Sequence, residues 1–254
     1  MADHERADSA GVPSEGRRFE SNSSASDDGS APPEVIRALD AFRAATVGES
    51  AVIDALRGAR VLVPLITEAG EDGHTGAGLR VDKTQELALV TVMGPDGRAV
   101  QPAFTSVAAM AKWNPAARPI PVTFANVAVS TASEGTDLVI LDPTNATEFA
   151  IRRPALWAIS QSLPWIPSYL DTAVLEAFMD AAEPEAAVEA VQLAPGDPTA
   201  RLDGPELVVH LTLTAGLDRA GLDAVLGRMR DRWAQSEIIA DRVDSLGLRV
   251  ASAD

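Results

Sequence analysis

Apolar residues recur along this chain in two rhythms, and their alternation sketches a fold. After a polar opening, Pro32 and Pro33 lead into Val35, Ile36, Leu39 and Phe42, spaced three and four apart as on one face of a helix. Val52, Ile53 and Leu56 repeat that spacing in a second short helix. The run Arg60–Thr67 is short and rich in branched residues, which predicts a strand, and the Gly- and Asp-rich stretch EAGEDGHTGAGLRVD after it predicts a loop. Glu86–Met93 and Ala99–Phe104 flank Gly94-Pro95-Asp96-Gly97, the signature of a β-hairpin. Thr105 or Ser106 can then cap a helix that turns Val107, Met110 and Ala111 inward and stops at Asn114-Pro115.

Farther on, Ile120–Phe124 reads as a strand and Asn126–Glu134 as a short helix. Asp137–Leu141 has the continuous apolar character of a buried strand; the turn Asp142-Pro143-Thr144-Asn145 joins it to a strand at Glu148–Ile151. A helix with Pro154 in its first turn should direct Leu156, Trp157 and Ile159 inward. The segment SLPWIPSYLD holds two prolines and marks a connection, followed by a helix at Thr172–Ala182. Beyond it, Val188–Leu193 and Leu207–Thr214 read as strands around the turn-rich APGDPTARLDGP, and Asp218 caps a helix striped by Leu222, Val225, Leu226, Met229 and Trp233. In Leu207–Thr214, Val209, Leu211 and Leu213 share one face, leaving His210 on the less buried one. Short strands at Ile238–Ala240 and Leu248–Val250 would complete a β-β-α-β-β unit.

The class is therefore α+β, built from two small mixed modules, the second with one helix packed on a small sheet. The expected organisation is an acidic disordered tail at 1–31, a first domain at 32–165, a linker with its connecting helix at 166–184, and a second domain at 185–254. The tail has a single aromatic residue, Phe19, and too little apolar area to offset the entropy of ordering it.

Several of these phrases resemble the SseB family, the bacterial enhanced serine sensitivity proteins. VLVPLI, QPAFTSVAAMAKW and DLVILDPTNATEFAI resemble the family's N-terminal domain. AVQLAPGD, ELVVHLTLT with GLDRAGLDAVL, and SEIIADRVDSLGL resemble its C-terminal domain. Together they cover roughly residues 35–252. The resemblance implies architecture and brings no accepted catalytic residue. Asp142 stands where the resemblance implies Asn in the strand-turn phrase, a mild departure that adds a charge.

Composition narrows the chemistry. The net charge is −16, concentrated at the two ends: 8 acids face 3 bases in residues 1–34, and 16 face 7 in residues 171–254. Such a field repels nucleic-acid phosphates and anionic lipid, so neither is an expected partner. The absence of cysteine excludes disulfides, thiol nucleophiles and Cys-ligated metal. The N-terminus is charged where a signal peptide is apolar and no run approaches a membrane span, so a cytoplasmic location is expected.

No constellation names a reaction. Gly73, Gly76 and Gly78 lack the G-x-G-x-x-G spacing and the phosphate-loop Lys-Ser/Thr, and read as a flexible loop. His4, His74 and His210 fall in a tail, a loop and a strand, without metal-ligand spacing. Glu134, Asp137, Asp142 and Glu148 cluster around one strand, where an acid pair could serve a hydrolase, although solvated loop carboxylates explain them as well. Arg152-Arg153, at a helix start, could hold a carboxylate or phosphate ligand, or balance neighbouring acids. Trp157, Trp165 and Tyr169 gather around the proline-rich connection as seam packing or as a partner's contact surface. The expectation is a non-catalytic interaction or regulatory accessory needing no metal or cofactor; the alternatives are a module binding an amino acid or other carboxylate and, last, a carboxylate-dependent hydrolase.

Overall fold

The computed structural model describes residues 27–66, 90–133 and 135–253. Glu134, the glycines of the 67–89 stretch, His4, His74, residues 86–89 of the expected strand and most of the expected tail lie outside the described residues.

Helices α1 (Pro33–Arg43) and α2 (Glu49–Arg57) pair first and turn Val35, Leu39, Val52, Ile53 and Leu56 into the core. Strand β1 (Arg60–Leu65) is followed by the hairpin of β2 (Val92–Met93) and β3 (Ala99–Ala103), closed by a Gly97 N–H donating to the Gly94 carbonyl with Gly97 at φ +81°. Next come α3 (Val107–Trp113), β4 (Arg118–Thr123), α4 (Phe124–Ser133), β5 (Leu138–Leu141), β6 (Phe149–Arg152) and α5 (Arg153–Ser160). β1 and β4 form an antiparallel ribbon, while β2-β3-β5-β6 form a mixed sheet in which β3 and β5 are parallel. Reciprocal backbone hydrogen bonds between Leu62 and Phe104 join the two sheets.

β5 is buried at all four positions, as its uninterrupted apolar run requires. Its Val139 and Leu141 meet α1, α2, α4 and α5 in the main core with Phe124, Phe149 and Ile151; Leu138 and Ile140 enter a smaller cluster on the opposite face with Val100.

A 3₁₀ turn at Ser168–Leu170 leads to α6 (Thr172–Ala182), whose start is capped by the Asp171 carboxylate. The second unit comprises β7 (Val188–Pro195), β8 (Leu207–Leu213), α7 (Arg219–Gln235), α8 (Glu237–Arg242) and β9 (Leu246–Ser252). Its sheet has the order β7-β8-β9, with β9 parallel to β8. Phe178 of α6 and Trp233 of α7 cross edge to face over Val209 and Leu211 in this core.

Three expectations are corrected. Ile238–Ala240 lies in helix α8, because the Ser236 side chain accepts the Ile239 N–H and Glu237 and Arg242 sit at the ends that suit their charges; the unit is β-β-α-α-β. Trp157 points outward on α5, where Ala155, Leu156, Ala158 and Ile159 complete the buried face. On α3, Ala109 and Met110 are the inward residues, because Ser106 caps the helix and fixes a phase that leaves Val107 and Ala111 outside.

Candidate functional site

Arg152, Arg153 and Tyr169, singled out in the sequence, lie at the seam between the two units. Arg152 ends β6 and is buried, which places a guanidinium where it must be satisfied on every side. Its Nη2 donates to Asp197 Oδ2 at 2.7 Å and to the Gly204 carbonyl at 3.0 Å; its Nη1 donates to Asp244 Oδ2 at 3.1 Å and Ser245 Oγ at 3.2 Å. Asp244 is also gripped by Arg98, whose two terminal nitrogens reach its two oxygens at 3.0 and 2.9 Å, a bidentate fork. Burial works against the Asp244 charge, but Arg98 and Arg152 outweigh it and hold its pKa below the ordinary carboxylate value.

The loop between β7 and β8 brings Asp197 to this point. Asp197 accepts the backbone N–H groups of Arg201 (3.2 Å) and Leu202 (2.8 Å), organising a loop that places Ala200 and Leu202 in left-handed conformations at φ +51° and +61°. Ala200 then enters the main core of the first domain, Leu202 its smaller cluster, and the Ala150 N–H of β6 donates to the Ala200 carbonyl at 2.7 Å. The loop thus extends the edge of the first domain's sheet.

Carboxylates continue along the seam. Glu206, buried at the start of β8, accepts the Ser168 hydroxyl (3.0 Å) and the Asp244 N–H (2.6 Å). Burial raises its pKa, and those two hydrogen bonds only partly oppose the rise. Glu49, at the start of α2, accepts the Tyr169 hydroxyl at 3.2 Å. Its carboxyl is pushed up to about 7 by burial, opposed by the Tyr169 hydrogen bond and reinforced by the Glu206 charge.

Arg153, the second arginine of the pair, donates through Nη2 to the Ala240 and Val243 carbonyls at 2.5 and 3.0 Å, at the C-terminal end of α8, where orphan carbonyls favour a cation. Both arginines read as anion sites therefore face groups of this chain: carboxylates for Arg152, carbonyls for Arg153. Tyr169 packs on the second core, Trp165 on the first, and Trp157 stands 53% exposed.

Around Trp157 the seam opens into a groove of about 350 Å³. Pro154, Trp157, Leu163, Pro164, Trp165 and Ile166 form its walls; Leu163 is 43% and Ile166 56% exposed. Asp171, Asp241 and Arg242 line its polar side, with Arg242 Nη1 2.9 Å from Asp171 Oδ2. The Pro-rich segment keeps these apolar side chains outside, because Pro164 and Pro167 prevent the chain from winding into a helix that could turn them to a core.

The carboxylates around β5 do not form a facing acid pair among the described residues. Asp142 accepts the Thr105 N–H and the Thr105 and Thr147 hydroxyls, Glu148 accepts the Thr144 N–H, and Asp137 is exposed. Among the described residues no group of three or more His, Asp or Glu side chains is placed to hold a metal, and no helix is long and apolar enough to cross a membrane. The residues that the sequence did not single out are the acceptors: Asp197 and Glu206 at the two ends of the β7–β8 loop, Asp244 and Glu49 lie in three separate segments, and only an Asp within a turn-rich loop offered any hint.

Comparison with known proteins agrees with the first unit. Residues 35–158 match the family model for the SseB protein N-terminal domain. The chain has no match among curated proteins or among solved structures. The matched segment runs from the first core residue of α1 to the buried face of α5, so the likeness to the SseB family rests on this N-terminal domain.

Proposed function

We propose that the chain is a non-catalytic accessory protein that docks a protein partner in the groove around Trp157. One observation carries this reading: Trp157, Leu163 and Ile166 stand exposed together in a single concave surface at the seam, with Asp241 on its rim. Large apolar side chains gathered in a groove with polar flanks are the usual form of an interaction hot spot. The carboxylates Asp171 and Asp241 outnumber Arg242, so the fitting partner presents an apolar anchor beside a cationic group. A cytoplasmic setting accords with the cysteine-free composition. The second unit is read as the family's C-terminal domain, on the strength of its strand and helix phrases.

The alternative, a carboxylate-binding module, has less support because the guanidinium groups that would serve it are already bonded across the seam. The test is affinity capture from the source cytosol with wild-type chain, Trp157→Ala and Asp241→Arg, combined with cross-linking from the groove. A partner retained by wild type, lost by both variants and cross-linked near Ile166 is expected. Identical recoveries from all three proteins, with the variants melting like wild type, would defeat the reading.

A further inference from the structure

Among the described residues, the sheet of the second unit ends on a strand with an unpaired edge. β9 carries Leu246, Gly247, Leu248, Arg249 and Val250, with no proline, no bulge and one charge. The opposite edge, β7, is blunted by a bulge between Val188 and Ala190, by the exposed Glu189 and by Pro195, devices that prevent edge pairing. The register sets Leu246, Leu248 and Val250 beside Leu207, Val209 and Leu211 of β8, so they continue the face that packs on α6 and α7. The helices do not cover that continuation: Leu246 is 39% and Val250 41% exposed. An apolar groove of about 620 Å³ lies along it, walled by Trp233, Ile239 and Val243 opposite Leu246 and Leu248.

We propose that β9 is a homodimer interface, pairing antiparallel with β9 of a second copy about a twofold axis at Leu248. The sequence around Leu248 is self-complementary in this register. Leu248 meets its own counterpart, and Leu246 meets Val250 of the second copy on the apolar face. On the other face Arg249 meets Gly247, which keeps the two arginines from standing directly opposite one another. A twofold axis perpendicular to the sheet preserves its faces, so both apolar rows and both grooves lie on the same side and cover each other. Backbone pairing satisfies the outer N–H and C=O groups of β9, and a six-stranded sheet results. The blunted β7 edges stop further growth, so the assembly closes as a dimer instead of extending as a fibre. The proposal is independent of the Trp157 groove.

The cysteine-free chain permits a direct test in the full-length protein. Sedimentation of wild type should give twice the 26.6 kDa chain mass in the micromolar range. Val250→Lys, at an exposed position that tolerates a charge in the monomer, should weaken association at least tenfold. Under mild oxidation Leu248→Cys should form a disulfide-linked dimer, while Glu189→Cys on the β7 edge should not. A wild type that stays monomeric to about 100 μM, a dimer indifferent to Val250→Lys, or equal cross-linking from Glu189→Cys would each overturn the proposal.

Discussion

Arg152 Nη2 and Asp197 Oδ2 lie 2.7 Å apart, both buried, and connect the last strand of the N-terminal domain to the loop of the second unit. Neither charge has water to fall back on. Removing one partner leaves the other uncompensated, which costs about 3–5 kcal/mol, far more than a surface pair is worth. Asp197→Ala should therefore lower stability by that order and also release the Ala200–Leu202 loop. Arg152→Lys should be nearly as damaging, because a single ammonium cannot reach Asp197, Asp244, Ser245 and the Gly204 carbonyl together. Urea unfolding of each variant checks this, with Arg219→Ala, whose exposed pair with Asp223 spans 3.9 Å, as a nearly neutral control.

The acids of the same seam make stability depend on pH. Glu49 has a folded pKa of about 7 against an ordinary 4.5, so between those values the native chain keeps a proton that the unfolded chain has lost. Its contribution is full below 4.5 and is given up as pH rises through about 7. Glu206, also raised by burial, acts in the same direction. Asp244, held below its ordinary 3.8, acts oppositely and withdraws its contribution only as pH falls beneath that value. The melting temperature should therefore decline from pH 5.5 to pH 8. Glu49→Gln, which keeps a neutral side chain at the Tyr169 hydroxyl, should flatten that decline; an unchanged slope would rule Glu49 out as its source.

Two glycines predict changes of opposite sign. At Gly196, at the neck of the β7–β8 loop, an added Cβ would lie 2.2 Å from the Pro205 carbonyl oxygen, a backbone atom that cannot swing aside. Gly196→Ala should cost about 1–3 kcal/mol, as other overpacked sites do, and should loosen the loop that caps β6. Gly227 sits in the interior of α7 with nothing near the added Cβ. There Gly227→Ala removes unfolded-state freedom without strain and should stabilise by about 0.5–1 kcal/mol. Paired denaturation curves read both signs in one experiment.

The local elements were legible because local forces make them. Proline at the start of α1 and α5, the Asp218 cap, and the Gly94–Gly97 turn all act within a few residues, and the sequence displays each one. Ile238–Ala240 reads as a strand because three apolar residues carry no period, whereas the Ser236 cap that decides for helix lies just outside them. Trp157 is a different case: α5 is apolar nearly all round, so spacing could not tell which side faced the groove. The seam was the least legible part. Arg152 and Arg153 announced an anion site, but the anions and carbonyls that answer them come from residues 45 to 92 positions away. Tertiary pairing over such separations leaves no local periodicity to read.

Asp142 shows how one turn position can accommodate either Asp or Asn. It is fully buried just after β5, at φ +48°, a conformation that Asp and Asn tolerate better than most residues. Oδ1 accepts the Thr105 N–H at 2.7 Å, while Oδ2 accepts the hydroxyls of Thr105 and Thr147 at 2.7 and 2.6 Å. Only the first donor is fixed. An Asn can keep its oxygen on that N–H and turn its amide toward the two hydroxyls, which rotate from donating to accepting. Asp142→Asn should therefore change stability by less than about 1 kcal/mol. Asp142→Ala leaves a buried N–H and two hydroxyls without their acceptor in a conformation alanine resists, and should cost at least about 2–3 kcal/mol. If thermal unfolding shows the Asn variant to be as damaged as the Ala variant, the carboxylate charge is required and the exchangeable-turn account of this position fails.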